Sequence, residues 1–103
     1  MDMMKQMMKQ AQKMQKDMVK AQEELALEKF SATSGGGMVS CTVNGHRELL
    51  EIKIDPECID PDDAETLEDM VFSAVREAMG KAAAEAEKRL GGLTGGMKMP
   101  GLF

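Results

Sequence analysis

Aromatic side chains are scarce in this chain of 103 residues, which contains three Phe and neither Trp nor Tyr. Proteins that bind single-stranded nucleic acid without sequence preference stack the bases on aromatic side chains. The three phenylalanines are widely separated, at positions 30, 72 and 103. The composition therefore disfavours single-strand binding by base stacking.

Histidine and cysteine, which commonly bind metals or act as catalysts, are also few. His46 is the single histidine, and the two cysteines, Cys41 and Cys58, do not have the spacing of a zinc site. No Ser/His/Asp set or Cys/His pair indicates a nucleophile with its base. We therefore predict a protein that is not an enzyme, with no metal, no cofactor and no small-molecule substrate, and we expect both thiols to be reduced.

Long hydrophobic runs are absent as well. No stretch approaches 18 apolar residues, which is about the shortest length that spans a bilayer. The Met-rich start of the chain is interrupted by a lysine every three or four residues, so it lacks the apolar region of a signal peptide. The sequence predicts a cytoplasmic protein with no membrane partner.

The net charge of −5 argues against a nucleic-acid partner until its distribution is considered. Residues 1–20 carry five lysines against Asp2 and Asp17, a net charge of +3, which leaves −8 on the rest of the chain. A basic segment on an acidic body keeps the positive field local. The five lysines form the basic cluster of the chain: Lys5, Lys9, Lys13, Lys16 and Lys20.

Residues 3–28 contain no Gly or Pro and consist of strong helix formers, which predicts a long first helix. Its apolar residues recur at alternating spacings of three and four, the pattern of a coiled-coil seam. They are Met4, Met7, Ala11, Met14, Met18, Ala21 and Leu25. The pattern fits a helix packed on its own domain and a seam shared with another chain equally well. At 1.5 Å per residue the helix is roughly 37 Å long, so we expect part of it to project.

The middle of the chain predicts a β-hairpin preceded by a weaker strand that ends near Ser34. Three glycines, Gly35–Gly37, form the turn or bulge before the hairpin. Apolar and polar residues alternate along both hairpin strands, as is typical of half-buried strands. The apolar positions are Val39, Cys41 and Val43, then Leu50, Ile52 and Ile54. Asn44-Gly45 between them favours a two-residue type I′ turn in which Gly45 has positive φ. Two strands alone are marginal in water, so the hairpin needs helices or another chain against its apolar face.

A second long helix is predicted after the hairpin, with Asp60 as its N-cap and Pro61 in the first helical position. Its apolar stripe has helical spacing: Leu67, Met70, Val71, Ala74, Val75, Ala78 and Ala82. Gly91-Gly92 is expected to end it. We predict one domain over residues 1–90, with an arm (1–28), a sheet (29–55) and a helix (60–90). Residues 91–103 form a Gly/Met-rich tail, either a free terminus or an apolar strip that docks on a partner.

Three stretches of the chain resemble the YbaB/EbfC family of bacterial nucleoid-associated proteins: MMKQMMKQAQKMQ, GGGMVSCTVNGHRELLEIKIDPE and ECIDPDDAETLEDMV. The tail, LGGLTGGMKMPGLF, is also similar. The resemblance implies an α+β chain in the order α-β-β-β-α, with a three-stranded antiparallel sheet between two long helices. It also implies a tweezer-like homodimer that binds double-stranded DNA in the nucleoid. Cys41 and Cys58 stand where we expect plain apolar residues, a departure that concerns packing.

Two functions are consistent with the sequence. The first is a homodimeric nucleoid-associated protein with an architectural or regulatory role, which binds DNA mainly through phosphate contacts. We predict that Lys5, Lys9, Lys13, Lys16 and Lys20 make these contacts, although the resemblance does not single them out. The alternative is a protein-interaction scaffold that uses Met-rich helical arms and the apolar tail, with lysines that only keep the arm soluble.

Overall fold

The computed structural model describes residues 2–93. Its helices and strands are α1 (Asp2–Leu27), β1 (Lys29–Ser34), β2 (Val39–Asn44), β3 (Leu49–Ile54) and α2 (Ala64–Leu93), with single 3-10 turns at Gly35–Gly37 and Pro56–Cys58. The strands form one antiparallel sheet in the order β1-β2-β3. This confirms the predicted α-β-β-β-α chain of the α+β class. Most of the predicted tail, residues 94–103, lies outside the described residues.

The main core lies between α2 and the first two strands. Ala74, Ala78 and Ala82 are fully buried on one face of α2, and their small side chains let the helix lie close to the sheet. The sheet side of this core comprises Ala32, Val39, Cys41 and Val43. The predicted alternation along β2 and the predicted stripe of α2 are therefore confirmed.

Strand β3 lies largely outside the cover of α2, which packs on β1 and β2. Ile52 and Ile54 pair with Cys41 and Val39, so they share the face of the sheet on which the helix lies. Each is nevertheless 37% exposed. The register skips Leu50, since Val43 pairs with Leu49 and Thr42 with Glu51. The chain therefore leaves one apolar edge of its sheet open.

The connection between β2 and β3 differs from the predicted two-residue turn. Four residues, 45–48, join the strands, and positive φ occurs at Arg47 (62°) rather than at Gly45. The side chain of buried Asn44 organises this loop, because its Oδ1 accepts hydrogen bonds from the backbone N–H groups of His46 and Glu48, both at 2.9 Å. The prediction of a type I′ turn with positive φ at Gly45 is wrong, because a side-chain-bonded loop of this kind replaces the tight turn.

Both predicted ends of α2 are also wrong. Asp60 closes a separate turn by accepting from Asp62 N–H at 2.9 Å, while Asp63 caps α2 by accepting from the N–H and hydroxyl of Thr66. At the other end the helix continues through Gly91-Gly92 to Leu93. Leu93 packs against the cluster that joins α2 to α1, and this burial offsets the weak helix propensity of the two glycines.

Candidate nucleic-acid interface

Within residues 2–93, helix α1 packs against the other elements through its last third. Ala21 and Leu25 are buried with Leu90 of α2 in a second apolar cluster, and Met18 packs at its border. Residues 2–16 are all exposed. Fifteen exposed residues at 1.5 Å each give roughly 22 Å of free helix, which we call the arm (residues 2–16). The described part is accordingly elongated, at 74 × 21 × 17 Å.

The hairpin loop (residues 45–48) holds the C-terminal end of α1. The N–H of Gly45 donates to the carbonyl oxygen of Leu25 at 2.8 Å. His46 Nε2 lies 2.8 Å from the carbonyl oxygen of Gln22 and donates to it in the tautomer that carries the proton on Nε2. The last four carbonyls of a helix lack partners within the helix, and the loop supplies one for Leu25. These two contacts fix where the sheet meets α1.

Arg89 fastens the same end of α1 to α2. Its Nη2 lies 2.7 Å from Glu28 Oε2 and 2.8 Å from Glu85 Oε1. The hydrogen bonds to Glu85 and Glu28 raise the pKa of Arg89 further above its ordinary value. Glu28 directly follows α1, so this bridge and the Leu25–Leu90 cluster restrain the direction in which the arm projects.

The lysines predicted to contact DNA lie along one side of α1 and are all exposed: Lys5, Lys9, Lys13, Lys16 and Lys20. At about 100° per residue they fall opposite the face that carries Ala21 and Leu25. In the part of the chain that the structure describes, none of the five forms an ion pair or a side-chain hydrogen bond. Their charges are therefore available to an external anion.

This lysine side has dimensions that suit a duplex. From Lys5 to Lys20 is fifteen residues, or roughly 22 Å, which corresponds to about six base-pair steps of 3.4 Å. Elsewhere several cations are already engaged: Lys53 pairs with Glu51, Lys81 donates to Ser31 O, and Arg89 binds two carboxylates. The structure thus brings the predicted residues together on one continuous surface.

A cavity of about 310 Å³ lies where α1, the hairpin loop and α2 meet, and Leu25, His46 and Glu87 are among the residues that line it. Its histidine already bonds to Gln22 O, so His46 acts here as a structural contact. Over residues 2–93 no group of three or more His, Cys, Asp or Glu side chains is placed to hold a metal ion. Within the same range no helix is long and apolar enough to cross a membrane.

The two cysteines are free thiols that contribute to packing. Cys41 is 1% exposed within the sheet-helix core, and burial raises the pKa of its thiol. A buried thiol with a raised pKa is a poor nucleophile, because the thiolate is the reactive form. Cys58 is half-buried and packs at the border of the same core.

Sequence reasoning missed the residues that hold the arm in place. The sequence predicts a turn at Gly45 but not its contact with Leu25, and it predicts neither the contact of His46 with Gln22 nor that of Arg89 with Glu28. The four-residue spacing of Glu85 and Arg89 is a readable helical pair. No local pattern connects Arg89 with Glu28, which lies 61 positions earlier in the chain.

The chain is similar to one DNA-binding family and to several known proteins. The sequence model of the YbaB/EbfC DNA-binding family matches residues 1–97. The chain is 49% identical to a nucleoid-associated protein of Pelotomaculum thermopropionicum, over 97% of this chain and 95% of that one. It is 52% identical to a nucleoid-associated protein of Clostridium perfringens, over 97% and 89%. Among solved structures, the uncharacterized protein HP0035 from Helicobacter pylori matches with a TM-score of 0.69 and 26% identity, over 76% of this chain and 82% of that one.

Proposed function

This chain belongs to the YbaB/EbfC DNA-binding family, and we propose that it is a nucleoid-associated protein that binds double-stranded DNA as a homodimer, mainly through phosphates. The observation that carries the proposal is the unpaired lysine side of α1. The proposed role of the protein is architectural or regulatory rather than enzymatic, and its proposed location is the bacterial nucleoid in the cytoplasm. The nucleoid-associated relatives, about 50% identical over nearly the whole chain, support this assignment.

Phosphate contact is the mode of binding that the lysine side favours. Lysine is a compact point charge on a flexible stem, and it meets phosphate without a demanding geometry. Such contacts position a protein on the duplex but carry no sequence information. Any sequence preference would then come from the shape and stiffness of the DNA. The bulk of the chain is acidic, so it repels the backbone and favours binding along the arm.

The open edge at β3 supports the homodimer. Besides Ile52 and Ile54, Phe72 of α2 is 66% exposed. Lys81 donates to Ser31 O of β1 and so marks the β1 side of α2. Phe72 lies nine residues earlier, about half a turn around the helix, and therefore faces the β3 side. A second copy seated there would cover these apolar side chains, pair the free strand and double the number of lysines.

The test replaces Lys5, Lys9, Lys13, Lys16 and Lys20 with glutamine and measures binding to unrelated duplexes by gel shift at two or more salt concentrations. If all ten of these lysines in a dimer met phosphates, the slope of log affinity against log salt would be about −9. We expect about half of that for the wild-type protein, because some lysines will miss. In the variant both the affinity and the slope should collapse.

A matched pair of variants distinguishes the effect of where the lysines lie from the effect of the net charge of the protein. Lys5, Lys9 and Lys13 are changed to glutamine in one, and Lys29, Lys53 and Lys88 in the other, so both lose three positive charges per chain. The arm variant should lose the larger share of affinity and slope. Sedimentation must give twice the chain mass for both, since an intact dimer is the condition for comparing them. Equal losses would place the contact outside the arm, and a well-folded monomer at low micromolar concentration would refute the dimer.

A second candidate function is favoured by the exposed methionines of the arm. Met3 and Met4 are 75% and 76% exposed, and Met7 and Met8 are 67% and 62%. Methionine surfaces adapt to varied partners, as an interaction scaffold requires. The two candidates differ in one measurement: a scaffold does not shift unrelated duplexes, whereas the proposed DNA-binding protein does so with a strong salt dependence.

A further inference from the structure

Methionine is distributed unevenly between the arm and the rest of the described chain. The methionines of the arm are all exposed: Met3, Met4, Met7, Met8 and Met14. The other methionines within residues 2–93 are all partly buried: Met18, Met38, Met70 and Met79. Both thiols are buried or half-buried as well. The accessible sulfur of the described residues is therefore concentrated in the arm.

The helix of the arm depends on its own residues. Residues 2–16 are all exposed, and within residues 2–93 none of them takes part in an ion pair or a side-chain hydrogen bond. The packed segment around Leu25 provides the nucleus of the helix, so the arm only has to propagate it. Propagation is close to balance, because the equilibrium constant for adding one residue is only about 1–1.6 even for good helix formers. Small changes in helix propensity therefore decide whether the arm is helical.

The methionines supply much of that propensity. Methionine is among the better helix formers, and apolar side chains three or four residues apart stabilise a helix further. Met3 and Met7 have this spacing, and so do Met4 and Met8. Oxidation to the sulfoxide turns each apolar thioether into a polar group with a strong acceptor oxygen. Such a group ends the apolar pairing and competes for backbone N–H groups, as the short polar side chains of poorer helix formers do.

We propose that the arm is a site of methionine oxidation by peroxides, and that the resulting sulfoxides unwind the arm and weaken its binding to DNA. The thioether sulfur attacks one oxygen of hydrogen peroxide, so that an S–O bond forms as the O–O bond breaks. The proton on the transferred oxygen passes to the departing hydroxide, which leaves as water. The sulfur loses two electrons and the peroxide gains them, and the charge of the protein does not change.

The lysine side exists only while the arm is helical. Helical spacing places Lys5, Lys9, Lys13 and Lys16 together, whereas an unwound chain holds them in no fixed relation. Phosphate binding must then order the chain, at a cost in conformational entropy. This last step rests on the proposed function, whereas the oxidation and the unwinding do not. Dedicated reductases convert the sulfoxide back to methionine, so the change is reversible.

Oxidation and unwinding are measured first, in the absence of DNA. The full-length protein is treated with hydrogen peroxide and then with dithiothreitol, which reverses thiol oxidation to disulfides and sulfenic acids but leaves sulfoxides in place. Peptide mass mapping should find the arm methionines oxidised about tenfold faster than Met38, Met70 and Met79, because burial shields the sulfur. The arm contributes 15 residues to helices of 26 and 30 residues, so the helical circular dichroism should fall by about a quarter. Equal oxidation rates, or an unchanged helical signal after complete oxidation of the arm, would overturn the proposal.

Two leucine variants assign the effect to the arm. The first changes the five arm methionines to leucine, which forms helix as well as methionine does and has no sulfur to oxidise. The second changes the four partly buried methionines to leucine, a swap that cores tolerate. Peroxide should leave the helical signal of the first variant intact and lower that of the second, as in the wild type, which takes the place of the second variant if that one does not fold. Loss of the helical signal in the first variant would show that the sensitive methionines lie outside the arm and would refute the proposal.

Duplex binding distinguishes this inference from the proposed function. Gel shifts on an unrelated duplex are compared before and after peroxide treatment. Oxidation should weaken binding by the wild type about tenfold, because the arm must be ordered again on the DNA, and should leave the first leucine variant unchanged. Equal binding before and after complete oxidation of the arm would overturn the present inference and leave the proposed function standing. A wild-type protein that shifts no duplex before oxidation would refute the proposed function, and the helical signal would still decide whether oxidation unwinds the arm.

Discussion

Gly45→Ala should destabilise the protein, although Gly45 has no positive φ. A Cβ added at this position would overlap the carbonyl oxygen of Leu25 and lie 2.8 Å from its Cβ. Such a contact is possible only if the hairpin loop moves away from α1. Overpacking of this kind costs about 1–3 kcal/mol, and the hydrogen bond from Gly45 to Leu25 adds about 1 kcal/mol when it is lost.

We expect the free energy of unfolding to fall by about 2–4 kcal/mol, measured by urea titration monitored by circular dichroism. For a domain of this size that is a decrease in Tm of roughly 10–30 °C. Gly80→Ala is the matched control. It adds the same methyl group where nothing lies within 4 Å, in the middle of α2. That variant should gain up to about 1 kcal/mol, since alanine favours helix over glycine.

A second substitution at the same position separates close approach from turn chemistry. Asparagine tolerates positive φ, so Gly45→Asn would be mild in a type I′ turn. Since the limit here is the proximity of Leu25, Gly45→Asn should be at least as destabilising as Gly45→Ala. Wild-type stability in either variant would refute the reasoning, because it would mean that the loop does not contact the end of α1.

Two further predictions concern α2 and the core. Asp63→Ala should lower the free energy of unfolding by about 1 kcal/mol, because it removes the carboxylate that caps α2 by bonding Thr66. Asp60→Ala should lower it by less, since Asp60 bonds only the separate turn. A larger loss for Asp60→Ala than for Asp63→Ala in urea titrations would contradict the assigned cap. Burial raises the pKa of the Cys41 thiol in the folded protein above its value in the unfolded chain. The protonated thiol therefore contributes its full stabilisation below the unfolded pKa, and this stabilisation is lost as the pH rises through the folded pKa. The urea midpoint should therefore fall between pH 8 and pH 10 more in the wild type than in Cys41→Val, and parallel curves would count against this account.

The parts of the fold that the sequence predicts well are those governed by periodic burial. Val39, Cys41 and Val43 alternate in a strand, and Ala74 and Ala78 recur along a helix, so each pattern indicates both an element and its buried face. The order of the strands in the sheet, β1-β2-β3, follows from these patterns because the connections between the strands are short. The lysine side of α1 is equally readable, since helical spacing alone places the five residues together.

The predictions that failed depend on choices between alternatives close in energy. Asp60 and Asp63 can both cap a helix. Which of them does so depends on the path of the chain after the 3-10 turn at Pro56–Cys58. Asn44-Gly45 is compatible with a tight turn, but the side chain of Asn44 bonds the backbone of a longer loop instead. The glycine is needed for a contact with Leu25, which lies 20 positions away. No pattern within the hairpin contains that information.

The anchoring of α1 gives a physical reason for the separation of its two sides. A helix of 26 residues held only near its end could swing freely, and phosphate contacts made by swinging lysines would cost much conformational entropy. That motion is restricted by the bonds from Gly45, His46 and Arg89 and by the burial of Leu25. One face of the helix is thereby committed to packing, which leaves the opposite face and its lysines pointing in a defined direction. In a dimer, two such arms would present their charges at a fixed spacing, so the junction of the hairpin loop with α1 would determine how much of a duplex the protein engages.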